Sequence, residues 1–281
     1  MRQAPLRLRV GVELACAPST PVQCGLLETL LKHVLFIHGQ LPSPYDAIVK
    51  ELASSAAQPV GRCRKTSRHR SMLRKARKLT ETAEQLFQGL PAALQAVATA
   101  QHEAGPSDRP APPLVAVFVI GSSPASPRVV IMARITHDSS VGKPGGAEAP
   151  TASELNGAKR KLVRVLMTLC GDLASVSVGL CRLHVLLQAP RAASLPALFK
   201  PRPALRLKLR RAHACCVDLG GPATAATPDA PMEGAPVPPW CEAPLEGLDP
   251  SEPRAGAGGV VGSGEYIWFQ ATSAAMRGFT V

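Results

Sequence analysis

The chain has 281 residues, 46% hydrophobic, 4% aromatic and 19% charged, with 23 glycines, 28 prolines and a formal net charge of +12. That apolar content suffices for the core of one domain with tails, while Gly and Pro far above their usual combined share of roughly 12% commit much of the chain to loops. No stretch of about 18 residues is apolar without a charge or a proline, which argues against a membrane span, and the positive balance favours acidic partners.

In chain order, Arg2, Arg7 and Arg9 interleave with Leu6, Leu8 and Val10, a pattern that predicts a strand and lacks the apolar run of a signal peptide. Thr20-Pro21-Val22-Gln23 predicts a helix start, with Thr20 as cap, Pro21 at the first position and Gln23 at the reciprocal capping-box position. Leu27, Leu30, Leu31, Val34 and Leu35 continue it as a helical stripe, Gly39 ends it, and Leu41-Pro42-Ser43-Pro44 is an extended turn. Tyr45 to Leu52 reads as a further short helix. Residues 54–70 read as a basic loop, and nine Lys or Arg lie between Arg62 and Lys78. A second long helix runs from Ser71 to Leu90, where Pro91 interrupts it. The apolar runs Leu114 to Ile120 and Arg128 to Ile135 flank the turn-rich 121–127 as a β-hairpin. After a small-residue linker over 138–152, a third long helix runs from Glu154 to Val176, with Leu162, Leu166, Leu169 and Leu173 on one face and Lys159, Arg160, Lys161 and Arg164 around it.

Leu183 to Gln188 is a strand, and the alternation of Leu205, Leu207 and Leu209 with Arg206, Lys208 and Arg210 predicts another with one wet face, paired with Ala212 to Leu219. Residues 220–264 hold nine prolines and nine glycines and read as a long mobile loop. The last sixteen residues then carry four of the ten aromatics, Tyr266, Trp268, Phe269 and Phe279. Each large side chain of that kind contributes on the order of 1.5–3 kcal/mol when buried, so 265–281 reads as a segment docked into the fold.

The search for chemistry is mostly negative. The glycine-rich stretch 256–264 lacks the Lys-Ser/Thr end of a phosphate-cradling loop and leads into a strand, and no nucleophile elbow or paired-histidine zinc motif occurs. The eight cysteines, at 16, 24, 63, 170, 181, 215, 216 and 241, have no zinc-ligand spacing and read as reduced thiols of a cytosolic or nuclear protein. The seven histidines are isolated, with His137-Asp138 the one candidate acid–base couple. No enzyme, cofactor or metal is expected. The tract Arg62 to Lys78 could contact phosphates, which leaves a nucleic-acid-associated protein as the alternative reading. Nucleic acid is nevertheless the weaker fit, because no aromatic between Tyr45 and Phe87 offers a stacking platform.

Two stretches resemble a known family. Leu30-Leu31-Lys32-His33-Val34-Leu35-Phe36 followed by Gln40-Leu41-Pro42-Ser43-Pro44-Tyr45, and Glu265-Tyr266-Ile267-Trp268-Phe269-Gln270-Ala271 followed by Arg277-Gly278-Phe279, are similar to the two ends of the comet family, which binds the mitotic arrest deficient-two checkpoint protein. The resemblance implies one HORMA-like α+β domain over 1–281. Three helices would pack on a mainly antiparallel sheet, closed by a C-terminal safety-belt segment that docks through Tyr266, Trp268, Phe269 and Phe279. It implies a non-enzymatic adaptor of the nucleus, cytoplasm and spindle that binds the closed conformer of the checkpoint protein, recruits a hexameric AAA+ ATPase of the pachytene-checkpoint type and silences the spindle assembly checkpoint. The family's partner face maps to His33, Phe36, Ile37 and Gln40, then Lys161, Leu162, Val163, Leu166 and Met167. Ile37 stands where the family has a partner-contacting glutamine, and Val163 where it has an anchoring phenylalanine. The family's ATPase-contacting turn, Phe-basic-Pro-basic, maps to Phe199-Lys200-Pro201-Arg202. With Tyr266 to Ala271 filling the belt's own edge, no free peptide site is expected.

Overall fold

The computed structural model describes residues 5–14, 18–57, 67–103, 113–135, 152–169, 181–220, 266–272 and 276–277, with Leu173, Val176 and Val178. It is an α+β fold in which strands β1 (Arg7–Glu13), β2 (Leu114–Ser123), β3 (Ser126–Ile135), β4 (Arg182–Pro190), β5 (Phe199–Arg202), β6 (His213–Gly220), β7 (Tyr266–Ala271) and β8 (Met276–Arg277) form one sheet. Its order is β1-β6-β3-β2-β4-β7-β5, with the two-residue β8 on β4. The pairings of β6 with β1 and with β3 are parallel and the remaining five antiparallel.

Four helices, rather than three, accompany the sheet: α1 (Thr20–Ile37), α2 (Tyr45–Ala57), α3 (Ser67–Glu103) and α4 (Ala152–Leu169). The fourth is α2, which at 13 residues outgrows the short helix expected and packs on α1 and α3. Helix α1 buries Val22, Leu26, Leu27, Leu30, Leu31, Val34 and Leu35, more than one stripe's worth, so it sits among α2, α3 and α4. Its cap is Ser19, one residue earlier than expected, and Gln23 donates from Nε2 to the Pro18 carbonyl at 2.8 Å instead of closing a capping box. Gly39 ends the helix at φ +62°, a conformation that favours glycine.

Helix α3 runs through Pro91 without ending. The apolar stripe Leu86, Leu90, Ala93, Leu94 and Val97 is buried on both sides of the proline, while Pro91 itself faces solvent, so packing outweighs the lost hydrogen bond. The loop expected over 54–70 is correspondingly shorter: 54–57 belong to α2, 67–70 to α3, and 58–66 lie outside the described residues. The linker over 138–152 and the loop over 220–264 also lie outside them, apart from Ala152 at the start of α4 and Gly220 at the end of β6, as does the helical extension past Leu169 except Leu173 and Val176.

The alternating leucines at 205–209 do not form a strand. They belong to the connection from β5, at one end of the sheet, to β6, five strand positions away. Strands lie roughly 4.8 Å apart, so the crossing is about 24 Å, and the ten residues 203–212 reach at most about 35 Å. The connection must therefore run extended across a sheet face. Leu205, Leu207 and Leu209 pack onto the face away from the helices, with Val115, Val117, Val119, Val130, Met132, Leu186 and Trp268, while Arg206 and Lys208 point to solvent. Residues 209–211 finish the strap as a turn of 3-10 helix. A ladder cannot form there because the chain lies over the sheet rather than beside a strand.

The opposite face carries the main core, built from Val10 and Val12 on β1, Phe118 and Ile120 on β2, Ile131 and Ile135 on β3, Val185 and Leu187 on β4 and Ile267 and Phe269 on β7, against the helices.

Candidate partner-binding face and basic edge

Helices α1 and α4 pack together, and Gly25 is what lets them close: a Cβ there would lie 2.7 Å from Leu155 Cδ1 and 2.9 Å from Lys159 Cε. Along this pair the expected partner residues divide by orientation. Leu162, Leu166 and Gln40 face inward, Gln40 being 1% exposed, because they continue the buried stripes of their segments. His33, Ile37 and Val163 are half-buried. Phe36 is 41% exposed, Met167 70% exposed, and Lys161 is exposed with its Nζ donating to the Glu13 carbonyl at 3.4 Å. The helix pair therefore presents Phe36, Lys161 and Met167 outward, with His33, Ile37 and Val163 half-buried between them and the core, and Gln40, Leu162 and Leu166 supporting it from within.

Buried polar groups concentrate at the C-terminal end of α1. Gln40 Nε2 donates to the His38 carbonyl at 3.3 Å, while Gln40 Oε1, both ring nitrogens of His38 and Nε2 of His33 have no partner among the described residues. Burial lowers the His38 pKa to about 4, with the nearby His33 adding to the effect, and burial alone lowers His33. Nearby, Lys32 Nζ lies 2.7 Å from Glu28 and 3.2 Å from Asp46 and sits 4.9 Å over the Tyr45 ring, whose hydroxyl donates to Glu84 at 2.8 Å. These contacts hold α1, α2 and α3 in register.

Phe199-Lys200-Pro201-Arg202 is a strand rather than the turn the resemblance implies. It is β5, at the end of the sheet, paired with β7 so that Phe199 faces Ala271 and Arg202 faces Trp268. Phe199 is buried in the main core, which leaves Lys200, Pro201 and Arg202 exposed. Arg202 Nε donates to Gln270 Oε1 at 3.1 Å, and Gln270 Nε2 lies 3.5 Å from His184 Nδ1.

The C-terminal strand is docked as an interior strand. β7 lies between β4 and β5, Trp268 is 3% exposed, Phe269 is buried, and Tyr266 is half-buried. Thr272 locks its end by donating from N and Oγ1 to the Leu198 carbonyl at 2.7 and 2.9 Å. Phe279 lies outside the described residues, as does the His137-Asp138 pair.

Arg9 and Asp218 form an ion pair that sequence reasoning did not foresee. Arg9 Nε is 2.5 Å from Asp218, with Arg134 3.8 Å away across β1, β6 and β3. The residues are over 200 positions apart, and only the parallel pairing of β1 with β6 brings them together. Cys24 and Cys181 are free thiols, and burial pushes Cys24 up to about 11, which makes it a poor nucleophile. Among the described residues no cluster of His, Cys, Asp or Glu could hold a metal, and no helix is long and apolar enough to cross a membrane. No protein-family model matches the chain, and no curated protein matches it.

Proposed function

We propose that the chain is a HORMA-like, non-enzymatic adaptor that binds the closed conformer of the mitotic arrest deficient-two checkpoint protein, recruits a hexameric AAA+ ATPase and so silences the spindle assembly checkpoint and promotes mitotic exit, acting in the nucleus, in the cytoplasm and on the spindle. One observation carries the reading. Among the described residues three large apolar side chains stand exposed, Phe36, Val49 and Met167, and two of them fall in the nine-residue partner face. Exposed apolar anchors of this kind, on a helix pair that also exposes Lys161, suit the centre of a protein interface with a polar rim. The location of β7 as an inner strand also fits a protein that fills its own belt edge and engages its partner through a helix face.

The test is capture of the full chain by the immobilised closed conformer. Wild type is expected to bind at micromolar concentration, and the pair Phe36→Asp with Met167→Asp to lose at least tenfold in affinity while melting as the wild type does. No binding by wild type, or undiminished binding by the double variant, contradicts the reading.

A further inference from the structure

The strap between β5 and β6 has a property that its leucines impose. Leu205, Leu207 and Leu209 turn toward the sheet, so the residues between them turn away from it. From Arg191 to Val217 the chain has no Asp or Glu, yet it carries Arg191, Lys200, Arg202, Arg206, Lys208, Arg210 and Arg211. Lys200, Arg202, Arg206, Lys208 and Arg211 are all exposed. Lys200, Lys208 and Arg211 make no ion pair among the described residues, and Asp218, the carboxylate next along the chain, is already engaged by Arg9 and Arg134. Among the described residues, the carboxylate nearest in the chain is therefore already committed and the exposed charge of the strap is of one sign.

The strap is also held in place. Leu205 N donates to the Arg202 carbonyl at 3.1 Å and Ala212 N to the Leu209 carbonyl at 2.9 Å. The Arg7 guanidinium clamps the far end, donating to Leu209 O at 2.6 Å and Ala212 O at 2.8 Å. A ligand meeting this ridge has little backbone to order, which removes part of the usual cost of binding an extended segment.

We infer that the basic ridge from Lys200 through Lys208 to Arg211 is a docking track for an extended acidic segment of the ATPase, longer than the four-residue edge at Phe199 to Arg202. This rests on the adaptor reading above. The occupant follows from the geometry. A surface of one charge sign on a backbone already held in place is complemented by an extended segment rich in carboxylates. A single-stranded nucleic acid is the poorer occupant, because the aromatics at this edge, Phe199 and Trp268, are buried and offer no stacking platform.

The experiment measures affinity of the full chain for the hexameric ATPase over a range of salt concentrations, with wild type, Lys200→Glu/Arg202→Glu and Lys208→Glu/Arg211→Glu, alongside a short single-stranded oligonucleotide. Both charge-reversal pairs are expected to weaken ATPase binding by about tenfold or more at low salt and to flatten its salt dependence, with melting temperature and capture by the closed checkpoint protein unchanged. Loss with Lys200→Glu/Arg202→Glu but not with Lys208→Glu/Arg211→Glu overturns the longer track and leaves the adaptor reading standing. Failure of wild type to bind the ATPase overturns both. Oligonucleotide binding that persists at physiological salt and is lost in the same variants assigns the ridge to nucleic acid and also overturns the inference.

Discussion

His38 follows the last turn of α1 with its imidazole buried and both ring nitrogens unpartnered among the described residues. An imidazolium in that position would be desolvated without a counter-charge, so the folded protein keeps the ring neutral down to a pKa of about 4, against an ordinary value near 6.5. The unfolded chain accepts a proton as pH falls through 6.5 and the folded chain does not. Stability is therefore fully present above that pH, declines as pH descends toward 4, and levels off below it, for a total of about 3 kcal/mol from this residue. Denaturant unfolding between neutral pH and pH 4.5 should show that decline, and His38→Phe should reduce it. His33 and His184, lowered chiefly by burial, shift stability in the same direction and leave the variant a residual slope. A pH profile that is the same in the variant and the wild type contradicts the assignment. The residue identities were legible here, but the burial was not. His33, His38 and Gln40 all lie close in sequence: the phase of α1 turns Phe36 outward, and the reversal at Gly39 after the helix carries Gln40 inward.

Periodicity located most of the elements, and departures from it have physical causes. Helix α3 outlasts Pro91 because its stripe of buried residues resumes in phase beyond the proline. The alternating leucines at 205–209 carry a strand's pattern on a chain that crosses a sheet instead of joining it, because an extended strap over an apolar face has the same two-residue period as a half-buried strand. The aromatic strand β7 was legible from composition alone, and its position between β4 and β5 explains the density of apolar residues. Trp268 packs on the strap side of the sheet with Leu186, Val117 and Leu209. Replacing it with alanine removes a nearly fully buried indole and should cost about 3–5 kcal/mol, read as a lowered midpoint of denaturant unfolding. An unchanged midpoint would mean that β7 is not a stable part of the sheet.

At the scale of the molecule, the mainly antiparallel sheet was legible, but the two parallel pairings of β6 were not. They arise because the strap carries the chain from one end of the sheet to beside β1, and strand order is set by such long connections rather than by any local signal. The same topology divides the surface. The α1–α4 pair lies on one side of the sheet, with Phe36 and Met167 outward, and the basic strap lies on the other. The proposed adaptor, which would hold the checkpoint protein while recruiting an ATPase, calls for two separated surfaces, and the helix pair and the strap lie on opposite sides of the sheet. The most direct test is calorimetric titration of the full chain with the closed and with the open conformer of the checkpoint protein. The account predicts micromolar or tighter binding to the closed conformer and none to the open one. No binding to either, or equal binding to both, contradicts it.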